Sequence, residues 1–222
     1  PFLAQASVFI FNYARFHAET LLKIMDTYKV TTFCAPPTVW RMLIQQDLAA
    51  VKTKLRERIG AGEPLNPEVI EQVKKAWGIT IRDGFGQTET TAQIGNTPDQ
   101  PLKPGSMGRP VPTYDVDLLT PEGKPAELGE PGEIVIHVDK GHPCGLFQGY
   151  YRDEEQTREA ICDGIYHTGD LAWRDEDGYY WYVGRRDDVI KSSGYRIGPF
   201  EIENVIMELP YVLECGVSAA PD

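Results

Sequence analysis

Between Thr20 and Arg82 the chain alternates helical spacing with short strand-like runs, an order that a layered α/β fold accommodates best. Leu21, Leu22, Met25 and Tyr28 recur at helical spacing, and residues 30–35 form a β-branched run closed by Pro36 and Pro37. Thr38 stands where a cap would open a helix through Val39, Trp40, Leu43 and Ile44. A second unit repeats the pattern. Residues 55–61 read as a strand, and Asn66 reads as a helix cap with Pro67 at the first helical position. The helix carries Val69, Ile70 and Val73 and stops by Trp77-Gly78, after which residues 79–82 read as the next strand. Strands in such units are expected to be parallel and covered on both faces. Ligands in open α/β sheets bind beyond the carboxyl ends of strands. Gly62-Glu63-Pro64 and the loop that starts at Asp83 both fall there, so two neighbouring loops are expected to face one crevice.

From Gly105 the character changes. Prolines and glycines punctuate short strand patterns at 114–119 and 132–138, with a turn at Pro121-Glu122-Gly123-Lys124. This reads as an antiparallel region, packed as a smaller barrel-like unit beside the α/β layer. Asp153 caps a short helix through Ala160, and a hairpin pairs 166–173 with 179–183 around Asp175-Glu176-Asp177-Gly178. A domain boundary is expected near Asp187, dividing the chain into 1–186 and 187–222. Beyond it come a hairpin over 189–197, a helix over 199–207 and a strand over 212–219, too little for an independent core.

A formal net charge of −11 over 222 residues argues against nucleic acid or an anionic membrane as the main partner. Local positive charge does collect late in the chain, at Arg185, Arg186, Lys191 and Arg196. The four cysteines form no CxxC pair, so reduced thiols in a cytoplasmic protein are expected rather than zinc or a redox dithiol. No apolar run approaches the roughly 20 residues of a membrane span. The start at Pro1 and the end just after a strand-like run read as a fragment lacking both ends. The sequence leaves the oligomeric state open.

Four glycine-bearing strings carry the functional signal. They are Gly60-Ala61-Gly62-Glu63-Pro64-Leu65, Asp83-Gly84-Phe85-Gly86-Gln87-Thr88-Glu89-Thr90, Tyr166-His167-Thr168-Gly169-Asp170, and the stretch from Tyr182 to Glu203, YVGRRDDVIKSSGYRIGPFEIE. Each has a plain reading by itself. The first is a loop into a helix and the second a sharp turn with a cap. The third is an aspartate closing a hairpin and the fourth a solvated turn. Chemically, Gly84 and Gly86 let a backbone approach a ligand, Phe85 offers a flat face for a base, and Thr88 and Glu89 offer a hydroxyl and a carboxylate. The Asp170 carboxylate can accept from two adjacent hydroxyls, as a ribose diol presents them.

The order and approximate spacing of the four strings resemble the adenylate-forming superfamily of acyl-CoA synthetases, adenylation domains and luciferases. The nearest likeness is to medium-chain acyl-CoA synthetases, and the SSGYRIGPFEIE wording is its most specific part. The resemblance implies the later part of a large α/β nucleotide-binding domain followed by a truncated small α+β domain. It implies that Gly62, Glu63, Pro64, Asp83, Gly84, Phe85, Gly86, Gln87 and Thr88 line the adenine and phosphates, with Asp170 and Arg185 at the ribose. Glu89 would favour Mg²⁺, and Gly86 and Thr88 would meet the acyl group. Asp187 would be a hinge, Ser193, Gly194 and Tyr195 would reach the CoA tunnel, and Arg196 would approach the reacting groups in one pose. Thr88, Glu89 and Arg196 are thus the expected catalytic set. The implied reaction couples a carboxylic acid to CoA through an acyl-adenylate, consuming ATP.

Two departures matter. No Ser/Thr/Gly-rich phosphate loop ending in lysine occurs, and no stretch matches the late adenylation lysine. The 222 residues alone are therefore expected to be poorly active, by several orders of magnitude. Glycine at 86 stands where acetate-activating relatives place tryptophan, which leads to the expectation of a medium-chain, branched or aromatic acid. Two rivals stay open: an adenylation domain loading a carrier protein, and a non-catalytic module that binds AMP.

Overall fold

The computed structural model describes residues 5–192, 195–207, 209, 211–212 and 215–219, without the side chains of residues 191–192 and 195–196. The first layer follows the expected alternation: α1 (Ala18–Thr27), β1 (Thr32–Ala35), α2 (Pro37–Ile44), β2 (Glu57–Gly60), α3 (Pro67–Trp77) and β3 (Arg82–Gly86). Strands β1, β2 and β3 pair in parallel, with Cys34 opposite Ile59 and Gly60 opposite Asp83. The apolar faces of the helices meet the sheet around Leu22, Trp40, Leu43, Val69, Val73 and Ile81. The Trp40 indole donates to the Ile59 carbonyl at 3.2 Å, fixing α2 on β2. Helix α3 begins as the sequence reads. The Asn66 side chain accepts from Glu68 N at 2.8 Å, a cap worth about 1 kcal/mol. Gly78 ends the helix at φ +69°, the left-handed conformation that glycine enters at little cost.

Three local expectations are corrected here. Thr38 does not cap α2, because Pro36 is the cap residue and Pro37, which has no N–H to satisfy, opens the helix. Burial is one-sided: Cys34 and Ile59 are exposed on the face opposite the helices. The third strand starts at Arg82 rather than ending there, so the Asp83–Gly86 string is itself strand β3. It pairs in parallel with β2 on one side and antiparallel with β4 (Ala92–Gly95) on the other, with a bulge at Phe85/Gly86. Strand β5 (Arg109–Pro110) completes this sheet, in the order β1-β2-β3-β4-β5.

The second sheet is antiparallel, as expected, in the order β10-β9-β7-β6. It comprises β6 (Val116–Leu119), β7 (Gly132–His137), β9 (Ile165–Arg174) and β10 (Tyr180–Arg185); α4 (Glu154–Ala160) leads into β8 (Ile161–Cys162), which pairs with β9. The β9–β10 hairpin turns where Asp175 accepts from Tyr179 N at 2.9 Å and Asp177 N at 3.0 Å. The two sheets close on each other at Gly108. Tyr180 N donates to Gly108 O at 2.8 Å, and a Cβ on Gly108 would lie 2.2 Å from the Gly95 carbonyl carbon. With φ at +97°, glycine is required there on two counts. Ile94, Met107, Leu118, Ile134, Ala172 and Tyr180 fill the space between the sheets.

At the C-terminal end, β11 (Ile190–Ser192) and β12 (Tyr195–Ile197) form the expected hairpin, and α5 (Pro199–Met207) follows. Helix α5 rests on β10, with the Phe200 and Tyr182 rings 5.8 Å apart and Asn66 donating to Asn204 at 3.3 Å. The expected strand over 212–219 does not form among the described residues. Val217 N instead donates to the Glu203 carboxylate at 2.9 Å, so this segment lies along α5 rather than in a ladder.

Candidate functional site

A cleft of about 270 Å³ opens where the carboxyl end of β3 faces the middle of β9 and the end of β10. The structure brings most of the expected residues together around it: Gly62, Glu63 and Pro64 on one side, Asp83, Gly84, Phe85, Gly86 and Gln87 at the base, and Asp170 and Arg185 opposite. Gly105, Met107, Tyr182 and Phe200 also line it and are absent from the sequence-based set. Tyr182 was within reach of sequence reasoning. The hairpin turn at 175–178 fixes the register that sets Tyr182 opposite Ala172, two residues beyond Asp170. Gly105, Met107 and Phe200 carry no local signal of this kind.

Asp170 owes its position to an irregularity. Between the pairs Glu133–Leu171 and Val135–His167, β9 spends three residues where β7 spends one. The extra backbone leaves the ladder and turns Asp170 toward the cleft. Polar groups freed by this bulge find partners, as buried backbone requires. Gly169 N donates to Glu133 at 3.0 Å, Asp170 N to the Thr168 hydroxyl at 3.1 Å, and that hydroxyl to Ile134 O at 2.7 Å. Thr168 O accepts from Gln87 and from Arg185, at 2.9 and 3.2 Å.

The Asp170 carboxylate is 5% exposed and held from both sides. Tyr182 donates its hydroxyl to Oδ1 at 3.0 Å, Gln87 Nε2 donates to Oδ2 at 2.6 Å, and Arg185 stands 3.5 Å away. Tyr166 donates to Gln87 Oε1 at 2.7 Å, which orients the amide so that its NH₂ faces Asp170. Burial pushes the Asp170 carboxyl up, while Tyr182, Arg185 and Gln87 pull it back. Each oxygen keeps one lone pair for a further donor. The arrangement is a fixed acceptor for two adjacent hydroxyls.

The facing wall is held by side-chain ties. Glu63 accepts from the Thr38 hydroxyl at 3.3 Å and lies 3.6 Å from Arg41 on α2. Asp83 is buried and accepts from Gly84 N at 2.9 Å and Leu65 N at 3.4 Å, so it clamps the 62–65 loop to β3. Burial raises its carboxyl to about 7. Asp83 therefore holds backbone, while Glu63 and Asp170 present charge. Among the described lining residues Arg185 is the one cation.

Thr88 and Glu89 lie outside the cleft lining, at the tip of a turn closed by Gln87 N on the Thr90 hydroxyl at 3.0 Å. Glu89 accepts from the Tyr150 hydroxyl at 3.0 Å. Among the described residues no three His, Cys, Asp or Glu side chains gather to hold a metal. A lone carboxylate fits Mg²⁺ only where phosphates supply the remaining ligands. A Cβ on Gly86 would meet the Thr91 carbonyl oxygen at 2.5 Å. The bulge thus demands glycine there, whatever lies in the cleft. Asp187 lies 3.4 Å from Arg185 Nε, directly after β10. Ser193 and Gly194, and the side chains of Tyr195 and Arg196, fall outside the described residues.

Comparison with known proteins agrees with this geometry. Residues 1–151 match the family model described as AMP-binding enzyme. Along its full length the chain is 48% identical to 4-hydroxybutyrate--CoA ligase 1 of Metallosphaera sedula and 43% identical to the mitochondrial acyl-coenzyme A synthetase ACSM3 of Rattus norvegicus. It spans 40% and 38% of those two proteins. Among solved structures, the anthranilate CoA ligase AuaEII in complex with anthranoyl-AMP superimposes with a TM-score of 0.81 at 32% identity, over 92% of this chain and 39% of that one. An acyl-CoA synthetase of Brucella canis gives 0.72 at 39% identity, over 94% of this chain and 39% of its own. The α/β layer and the antiparallel half-barrel are those of adenylate-forming enzymes, and the chain belongs to the AMP-binding enzyme family.

Proposed function

We propose that this chain forms the adenosine-binding wall of an AMP-forming carboxylic acid–CoA ligase. The observation that carries the reading is the Asp170 carboxylate, oriented by Tyr182, Gln87 and Arg185 at the mouth of a cleft walled by glycine-bearing loops. In this reading the ribose diol donates to Asp170, and the base lies between the 62–64 loop and Phe85. The acid attacks the α-phosphorus of ATP to give an acyl-adenylate and pyrophosphate, and the CoA thiol then displaces AMP to give the thioester. Mg²⁺ would be held at Glu89 with the nucleotide phosphates and would offset their charge. Thr88 on the same turn would meet phosphate and acyl oxygens.

The chain then divides into 1–186 and 187–222, with Asp187 as the hinge and Ser193, Gly194 and Tyr195 carried toward CoA. Arg196 would approach the reacting groups in one of the two poses. The acid is longer than acetate or propionate. In support, the relatives' names include ligases for 4-hydroxybutyrate and anthranilate. An aqueous compartment, cytoplasmic or, as for the rat relative, mitochondrial, suits these substrates. The 222 residues by themselves are expected to bind nucleotide and turn over poorly, because Arg185 is the only cation that the described lining residues offer to phosphate.

Calorimetric titration with AMP and with non-hydrolysable acyl-adenylate analogues of increasing acyl length tests this. Binding of AMP that tightens with acyl length supports the reading. Absence of AMP binding would contradict it, and a clear CoA- and ATP-dependent thioester signal would contradict the expected inactivity.

A further inference from the structure

Glu133 is a buried carboxylate outside the cleft lining, 8% exposed on β7. A buried charge persists only where it is paired and hydrogen-bonded, and among the described residues the partners of Glu133 belong to the Asp170 end of the site. Its Oε1 accepts from Gly169 N at 3.0 Å. Its Oε2 accepts from Arg186 Nη1 at 3.2 Å and lies 3.3 Å from His167 Nδ1. Arg186 N in turn donates to Gly169 O at 2.8 Å. One carboxylate therefore grips the bulge of β9 and the end of β10 together.

From this geometry we infer that Glu133 is a positioning residue for the nucleotide. It fixes the Thr168-Gly169-Asp170 bulge against Arg185-Arg186 and so sets where the Asp170 carboxylate stands relative to the Arg185 guanidinium. The inference rests on the reading of Asp170 as the ribose acceptor. Gly169 is the lever. It holds φ at +71°, and a Cβ on it would lie 3.0 Å from Arg185 Nη2, so the guanidinium packs directly over its Cα. Tilting the Gly169 peptide turns Asp170, the next residue, and loosens Arg185 in the same motion. Glutamine at 133 supplies only one acceptor oxygen, and its NH₂ must face either Gly169 N–H or Arg186. It therefore cannot satisfy both elements at once.

The test compares AMP with 2′,3′-dideoxy-AMP, which lacks the diol, on the 222-residue chain by calorimetry. The unsubstituted chain is expected to prefer AMP. Glu133→Gln is expected to weaken AMP about tenfold and leave 2′,3′-dideoxy-AMP within about twofold, the scale of a charge-assisted hydrogen bond put out of place. Unchanged AMP affinity would overturn the inference, and so would equal losses for both ligands, the mark of a residue that only holds the fold. Arg186→Ala removes a mostly exposed side chain from the same carboxylate and is expected to lower the AMP preference about threefold. Should Glu133→Gln fail to fold, an unaltered preference in Arg186→Ala overturns the inference by itself. An unsubstituted chain that binds both nucleotides equally would overturn the ribose reading beneath it.

Discussion

The wall of the cleft built on the parallel layer and the wall built on the antiparallel sheet hold their polar groups in different ways. On the parallel side, loop 62–65 leaves β2 and is tied down by side chains: Glu63 to α2 and Asp83 to Leu65 N. On the antiparallel side the chain never leaves its strand. A bulge in β9 presents Asp170, and Glu133, Thr168, Gln87 and Arg185 meet the freed Gly169 N, Asp170 N and Thr168 O. The first design leaves the loop room to adjust and the second does not. Gly62 on the first wall and Gly108, where the two sheets close, differ in the room they have. Both have positive φ, yet a Cβ on Gly62 meets open space, and one on Gly108 meets the backbone at Gly95.

The largest expected effect comes from that pair. Gly108→Ala should destabilise the chain by more than about 3 kcal/mol or prevent folding, since strain at positive φ adds to a collision with backbone that cannot retreat. Gly62→Ala should cost about 1 kcal/mol, the strain alone. Urea unfolding of the two variants measures the difference, and equal costs would mean that the backbone at Gly95 gives way to a Cβ at 108.

Next in size is Asp170→Asn. It takes away a charged acceptor and sets an NH₂ against Gln87 or Tyr182, so AMP affinity should fall about a hundredfold by calorimetry. A loss below about threefold would move the ribose away from this carboxylate. On the opposite wall the corresponding experiment is one of pH. The Asp83 carboxyl stands at about 7 in the folded chain against 3.8 for the free group. Between those values the folded chain binds more protons than the unfolded one, so this group's contribution to stability is lost as pH rises from about 4 to about 7. Asp83→Asn should flatten that part of the stability profile by on the order of 2–3 kcal/mol, read from urea midpoints at pH 5 and pH 8. An unaltered slope would mean that Asp83 is ionised throughout and that its clamp is a plain charge-assisted bond.

The smallest effect sharpens the comparison. Tyr182→Phe removes one donor from Asp170 and leaves Gln87 and Arg185 in place, so AMP should weaken about fivefold, near 1 kcal/mol. No change would show that the antiparallel wall holds Asp170 through its backbone alone.

Much of the parallel wall was legible in the sequence because its signals are local. The Asn66-Pro67 cap, the Val69/Ile70/Val73 stripe and the stop at Gly78 each depend on a few neighbouring residues. The misreadings are local too. Proline opened α2 where Thr38 was expected to cap it, and the Asp83 string proved to be a strand because β4 returns along it. The antiparallel wall was legible only in part. The hairpin turn at Asp175 was visible, and Asp170 and Arg185 stood out as charges, but nothing near residue 168 announces the bulge. It arises from the register between β7 and β9, more than thirty residues apart in the chain. Glu133 went unnoticed for the same reason, as did Met107 and Phe200, which reach the cleft only through the packing of distant segments on β10.

The most direct test of the account is a crystal structure of the chain with AMP. The account predicts the ribose O2′ and O3′ within roughly 3 Å of the Asp170 carboxylate oxygens, with the base between the 62–64 loop and Phe85. AMP bound with its ribose turned away from Asp170, or bound at another surface, would contradict it.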